Sequence, residues 1–397
     1  MDRAEAKSPH HVLICLTKPY APFISDVGGT MPILPRHIWE NVDQPQAFDA
    51  PEAFIGSGPY RFKDFNKAQG TYLYEAFAEH HLGRPKADRL IYVRSGKPLV
   101  SLSTGEVDLA NIQPEMAGPL RQKGMTVIQD ERGWVKKLMI NHKKPPFDDL
   151  RFRQALAHAI NRQEIIDRSH RGSGTPASYG LLSLDHEMYN PDTPVYVHDP
   201  EKARALIAGL GYTQGADGKF QRDGRPLKVE LLSSHITVGG QSTADRDGEV
   251  IKKQLEAVGL VVDLVNLEQA TTDSKVKNWE FELAVSGHGG ISGDARILNE
   301  MISSRFGAGS VNSARYDANP ELVHLLEAQM AEMDTVKRKH LVQRIQVLHA
   351  EDLPAIPLYH PQSMAAYNPQ KGVAWFFTRG GISKGVPIPQ NKLSLLR

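Results

Sequence analysis

Apolar positions along the chain change their period from segment to segment, and the changes mark out elements. His11 to Thr17 reads as a strand, and Tyr60 to Asn66, Thr71 to Phe77 and Arg89 to Arg94 alternate as strands do. A loop rich in Pro and Gly follows the first of these and leads to a short helix over 34–40. The run Gly56-Ser57-Gly58-Pro59-Tyr60 is a tight turn into the second strand. Residues 99–104 read as a helix, 105–110 as a turn into a short strand, and Val135 to Asn141 as a strand. Pro145-Pro146 then breaks regular structure. Asp149 is placed to cap a helix, and Leu150, Leu156, Ala159, Ile160 and Ile166 roughly follow one helical stripe.

The second half repeats a simpler rhythm. Asp199 followed by Pro200 opens a helix that Gly211 stops. Residues 213–226 alternate Gly and Asp and read as an exposed hairpin or loop. Strand 226–233, helix 245–258, strand 260–267, helix 269–278 and strand 281–286 follow. This β-α-β-α-β order predicts a parallel or mixed sheet covered by helices. Two amphipathic helices, 320–333 and 336–350, precede an extended segment at 353–359, and Trp375-Phe376-Phe377 reads as a further strand.

A length of 397 residues suggests two to three domains. Charge is balanced at +1, which gives no reason to expect nucleic acid as a partner. The basic runs Lys136-Lys137, Lys143-Lys144 and Lys337-Arg338-Lys339 read as solvated faces. Cys15 is the one cysteine, so no intrachain disulfide and no cysteine-based metal site is expected. No apolar run approaches the ~20 residues that span a bilayer. Met1 to His11 is charged and lacks the apolar core of a signal peptide.

The string from Pro145 to Arg162, with Asn141 ahead of it, resembles a signature of the ABC-transporter extracellular solute-binding proteins of family 5. That family holds the peptide- and nickel-binding proteins. Asn161 stands where its pattern usually has aspartate. Other segments resemble the family in the same order: Gly56 to Tyr60 ("GTGPY"), Gly83 to Leu90 ("GxPKLDxI"), Gly105 to Asp108 ("GEVD"), Asp199 to Ala203 with Gly211-Tyr212, and Pro354 to Tyr359. The resemblance implies an α/β, two-lobed periplasmic-binding-protein-like fold (type II, cluster C) with a hinge. Lobe I would comprise 1–137 and a return segment 357–397, and lobe II 138–356. Family members carry over a hundred residues ahead of the segment matching His11 to Thr17. The resemblance therefore implies an N-terminally truncated member with an incomplete lobe I.

The implied function is capture of a peptide or similar oxygen-rich solute in an interlobe cleft and delivery to the permease subunits of an ABC importer. The implied protein is a monomer at the periplasmic or extracellular face, with no cofactor. The alternative is a sensor or scaffold paralogue without transport. In open α/β sheets, ligands bind outside the carboxyl ends of strands. Two loops leave such ends: one runs from Ser233 through His235 to Gly240, the other from Gly287 to Asp294. The second has Gly287, Gly289, Gly290 and Gly293, which lets its backbone approach a ligand; the alternative is a plain surface turn. Peptide-binding relatives place an aromatic residue where His288 stands, and where Ile291 stands they place an aspartate for the peptide's ammonium group. Only the later acid, Asp294, is kept. The candidate ligand residues are therefore His80, Trp134, His235, Gly287, His288, Gly289, Gly290, Ile291, Ser292 and Asp294.

His80-His81 replaces a Tyr-Trp pair of the family, and a metal chelate is conceivable there. Adjacent histidines on a strand point to opposite faces, however, and no metal site is expected. Nor is an enzyme. Gly381 to Gly385 matches G-x-S-x-G, but Val386-Pro387 cannot open the required helix, and no Asp, Glu or His follows Ser383.

Overall fold

The computed structural model describes residues 2–29, 31–234, 236–238, 241–243, 246–377 and 392–396. Within them the chain divides into two compact units. Unit 1 is built from Met1–Gly29 and Glu131–Gln362; unit 2 from Thr30–Asp130 and Ser363–Arg379 with residues 392–396.

Unit 1 opens with a hairpin, β1 (Arg3–Ser8) and β2 (His11–Cys15). Its centre is a six-stranded sheet in the order β16 (Val261–Leu267), β13 (Lys228–Ser234), β17 (Leu283–Gly289), β8 (Trp134–Ile140), β18 (Ala355–Pro361) and β9 (Gly174–Pro176). β13 runs parallel to both β16 and β17, while β8 runs antiparallel to β17 and β18. The crossover helices are α7 (Arg246–Ala257) and α8 (Gln269–Lys277). This is the β-α-β-α-β unit expected from the sequence. Crossovers of a dozen or more residues permit the parallel pairing.

Side chains alternate across this sheet. Leu138 and Ile140 of β8 join a core with Leu231, Leu283 and Ile356, covered by α4 (Leu150–Ala159), α5 (Arg162–His170), α6 (Pro200–Gly209) and α7. Val135 and Met139 face the other way. They pack in clusters supplied by α8, α9 (Ile297–Ile302), α11 (Pro320–Ala331) and α12 (Thr335–Asp352). The short α10 (Ser304–Gly307) follows α9. Two small additions complete the unit. One is a sheet of β10 (Thr213–Gln214), β11 (Phe220–Arg222) and β12 (Arg225–Pro226); the other is a hairpin of β14 (Ile236–Val238) and β15 (Gln241–Thr243).

Asp149 caps α4 as expected, accepting from Arg151 N at 2.8 Å. The single stripe from Leu150 to Ile166 is in fact two helices. Ile160 turns extended, and Asn161 starts α5 by accepting from Glu164 N at 3.0 Å. The lysine pair 136–137 also departs from expectation. Both residues lie inside β8, a central strand with a core on each face, so both are buried, at 3% and 1% exposure. Lys143 and Lys144 are exposed, as are Lys337 and Lys339, but Arg338 between the last two is buried.

Unit 2 holds two three-stranded antiparallel sheets. One is β3 (Tyr60–Asn66), β4 (Thr71–Ala76) and β5 (Arg89–Tyr92) in that order. In the other, β19 (Met364–Tyr367) lies between β6 (Leu109–Ile112) and β7 (Thr126–Gln129). Three short helices accompany them: α1 (Arg36–Trp39), α2 (Pro98–Thr104) and α3 (Ala117–Gln122). One core gathers Tyr60, Ala365, Tyr367, Trp375 and Leu395, the other Leu102, Ile112, Leu120 and Ala366. The expected strand at 375–377 does not form; Trp375 anchors the first core without ladder partners. The units divide after Asp130 and Gln362, because β8 and β18 are interior strands of one sheet, and Met1–Gly29 groups with unit 1.

Candidate ligand site

The carboxyl end of β17 lies beside the start of β8, with Gly289 opposite Trp134, His288 opposite Val135 and Gly287 opposite Lys136. Gly287, His288 and Gly289 are therefore strand residues, and the turn begins only at Gly290. There φ is +81°, a conformation that favours glycine.

The glycines of β17 serve a neighbour. A Cβ built on Gly287 would sit 2.5 Å from Nε1 of Trp134, and one on Gly289 would sit 3.0 Å from Cε3 of the same ring. The indole thus lies flat across the strand in the space two side chains would take. Its Nε1–H is buried and has no acceptor among the described residues. Buried N–H groups are seldom left in that state. His360 donates from Nδ1 to the Trp134 carbonyl at 2.9 Å. Burial lowers the His360 pKa to about 4.

The other candidates divide by position. Ser292 Oγ lies 3.2 Å from where a Cβ on Gly133 would be, so it sits against the start of β8. Ile291 is fully buried in the cluster of Val135, Leu181, Leu298 and Ile345, and its carbonyl accepts from Ser183 N at 3.3 Å. His288 has the face parity of Val135, opposite that of Trp134, and is 8% exposed with Nε2 3.5 Å from Glu300 Oε1.

Asp294 is engaged on both carboxylate oxygens. Arg338 donates to it at 2.6 and 3.1 Å, Ser25 Oγ at 3.1 Å, and Arg296 N at 2.8 Å. Burial alone would raise its pKa, but the Arg338 hydrogen bonds and charge outweigh that and hold it lowered. His186 donates from Nε2 to the Gly293 carbonyl at 2.7 Å and steadies the turn from its other side.

His80 belongs to unit 2. It lies in a turn and not on a strand, so the two-face argument for adjacent histidines does not hold there. Its ring stands 4.2 Å from that of His81, and Nδ1 accepts from Leu82 N at 3.3 Å. His235 and Gly381 to Gly385 lie outside the described residues.

Sequence reasoning missed two polar groups at this sheet edge. Arg132 donates to Asp185 through its backbone N at 2.9 Å and through its guanidinium, just ahead of Trp134. On the Trp134 face, buried Lys136 lies 4.0 Å from Asp247 Oδ2, which also accepts from the Tyr359 hydroxyl at 2.6 Å, while His170 Nε2 stands 3.3 Å from Oδ1. Burial opposes the Asp247 charge, yet His170 and Lys136 keep its pKa lowered. The signal was available: two lysines inside the apolar strand Trp134–Ile140 point to buried partners. Among the described residues, no group of three or more His, Cys, Asp or Glu could hold a metal ion, and no helix is long and apolar enough to cross a membrane.

Residues 1–310 match the bacterial extracellular solute-binding proteins, family 5 (middle part), and the chain belongs to this family. It is 28% identical over 374 residues to the probable di/tripeptide-binding protein 5 of Pseudomonas aeruginosa, covering 91% of this chain and 67% of the relative. It is 27% identical over 370 residues to the heme-binding protein A of Haemophilus influenzae, covering 90% and 64%. The chain thus spans about two thirds of the length of these relatives. In structure it is similar to NikA from Brucella suis, solved with Fe(III)-EDTA, with a TM-score of 0.82 and 20% identity, covering 98% of this chain and 78% of that one. These relatives and neighbours are solute-binding proteins, and the fold is theirs.

Proposed function

We propose that the chain is the solute-binding component of an ABC importer, working as a monomer at the periplasmic or extracellular face. Capture of the solute by hinge closure would present it to the permease subunits. The carrying observation is the Trp134 indole spread over Gly287 and Gly289 at the carboxyl edge of the sheet, with an unpaired buried N–H. Flat aromatic surface at a strand's carboxyl end suits a solute with planar amide groups. Trp134, Gly287, Gly289, Gly290, Ser292 and His235 are the residues we assign to ligand capture, with Asp294 fastening the turn through Arg338 and the buried Ile291 packing the turn onto the core.

The relatives' names point to peptides and to chelated metals, and the planar amides of a peptide suit the flat indole of Trp134. Asp294 already has its guanidinium, so N-blocked or acidic peptides should bind better than free dipeptides, whose ammonium would find no free carboxylate in this turn. Calorimetry with a free and an N-acetylated tripeptide tests this. Binding of the acetylated form that quenches Trp134 fluorescence supports the reading. Failure of every peptide and of metal chelates to bind would refute it.

A further inference from the structure

The ligand edge of unit 1 has two halves: the start of β8, carrying Trp134, and the turn from Gly290 to Asp294. They meet where Gly133 leaves room for Ser292, whose Oγ would lie 3.2 Å from a Cβ there. Two neighbouring residues of a third segment hold both halves. Asp185 accepts from Arg132 N at 2.9 Å and from its guanidinium, two residues ahead of Trp134. His186 donates from Nε2 to the Gly293 carbonyl at 2.7 Å. Its Nδ1 accepts from Met188 N at 2.9 Å, which puts the ring proton on Nε2, and burial lowers its pKa. Just ahead, Ser183 N donates to the Ile291 carbonyl at 3.3 Å.

The segment that carries this pair is fixed on either side of it. Leu181 is 1% exposed and has φ at +73°, and Leu182 N donates to the Gly180 carbonyl at 3.0 Å, closing a three-residue turn around it. A bulky side chain seldom takes that conformation. Strain of this kind persists where the surroundings over-determine it, and it clusters at ligand clamps. Gly180 is pressed onto α12, since a Cβ there would sit 2.6 Å from Cβ of Gln346. The Gln346 amide donates to the Met188 carbonyl at 2.8 Å and accepts from Asn190 N at 3.0 Å. α12 thus grips the segment before Asp185 and after His186. The Arg132–Asp185 pair adds little to stability, because its side chains are 34% and 27% exposed. We propose that Asp185 and His186 are positioning residues: together they set the gap between Trp134 and the turn Gly290–Asp294, and with it the fit of the solute. They act through the strand and the turn, not on the solute. The inference rests on the ligand edge assigned above, and two of its three readouts need no solute.

The decisive question is whether each residue moves the half of the site that it does not touch. The full 397-residue chain would be labelled with 5-fluorotryptophan, and the Trp134 signal assigned through Trp134→Phe. Amide exchange would be followed across residues 290–294, with Lys228–Ser234 as the control strand. His186→Asn keeps an acceptor for Met188 N but is too short to reach Gly293, and it should shift the Trp134 fluorine signal. Asp185→Ala releases Arg132, and it should speed exchange in the turn about tenfold while the control strand stays unchanged. His186→Gln, which carries an N–H donor as far as Gly293, should restore the native signal. An N-acetylated tripeptide should bind about tenfold more weakly to His186→Asn and Asp185→Ala. Should Asp185→Ala fail to fold, Asp185→Asn keeps one acceptor and should give a smaller shift of the same sign. Changes confined to the near half in each variant, or tripeptide affinity untouched by both, would overturn the proposal. If no peptide bound the native chain, the function proposed above would fall, while the fluorine and exchange readouts would still decide this one.

Discussion

Three buried basic side chains set how the protein answers to pH. Burial lowers the pKa of His349 to about 4, and His360 likewise to about 4. Both fall below the usual histidine value, so the unfolded chain binds more protons between pH 6.5 and 4. Their stabilisation is present above pH 6.5 and lost as pH falls through 4. Thermal melts should therefore show a falling midpoint over that window, and His349→Phe should flatten the fall. Lys137 is pushed down to about 7 by burial, with Glu300 opposing. Its folded value lies below its unfolded one, so this site favours folding more strongly as pH rises from 7 towards 10. Lys137→Met should raise the melting temperature at pH 7 and remove that alkaline gain, since an apolar chain of similar length loses only the bond to the Asn312 carbonyl. A melting temperature lowered at pH 7 would show instead that the ammonium group is well paired.

At the scale of elements, the contact between β17 and Trp134 is the sharpest constraint. Gly287→Val would drive two methyl groups into the indole, and overpacking of this kind costs about 1–3 kcal/mol. Denaturant titration should show that loss together with shifted tryptophan emission; unchanged emission would mean the ring is not held there. Asp294→Asn would leave the buried Arg338 without its charge partner, at a cost of about 3 kcal/mol. The helices and strands of unit 1 were largely legible, because Gly and Pro punctuate them and the period changes cleanly at each boundary. The break at Ile160–Asn161 was not, since the apolar stripe runs through it and only the Asn161 cap reveals it. The glycine run was visible, but its role was not. Trp134 lies some 150 residues away in sequence, and only pairing of β8 with β17 brings the ring over the glycines. Lys136 and Lys137 misled for the same reason: their burial follows from where β8 lies in the sheet and from nothing local.

At the scale of the whole molecule, the two units have separate cores of unequal size. Unit 1 gathers two large clusters and one small one, unit 2 two small ones with many half-buried members. Units of this kind open with different free energies. Calorimetry should resolve two transitions, the lower one from unit 2, and limited proteolysis should cut within 30–130 before it cuts within 131–362. A single transition with uniform protease resistance would contradict this.

The wiring of the sheets has a consequence for how the protein is made. β18 lies between β8 and β9, and β19 lies between β6 and β7, so the strand that closes each sheet is encoded between residues 355 and 367. Until residues 355–367 have left the ribosome, neither sheet can be finished. The growing chain can form helices and the β13–α7–β16 crossover earlier, yet both sheets wait for these two strands, and long-range closure of this sort is slow. The sheets thus stay open and threadable until that stretch is made.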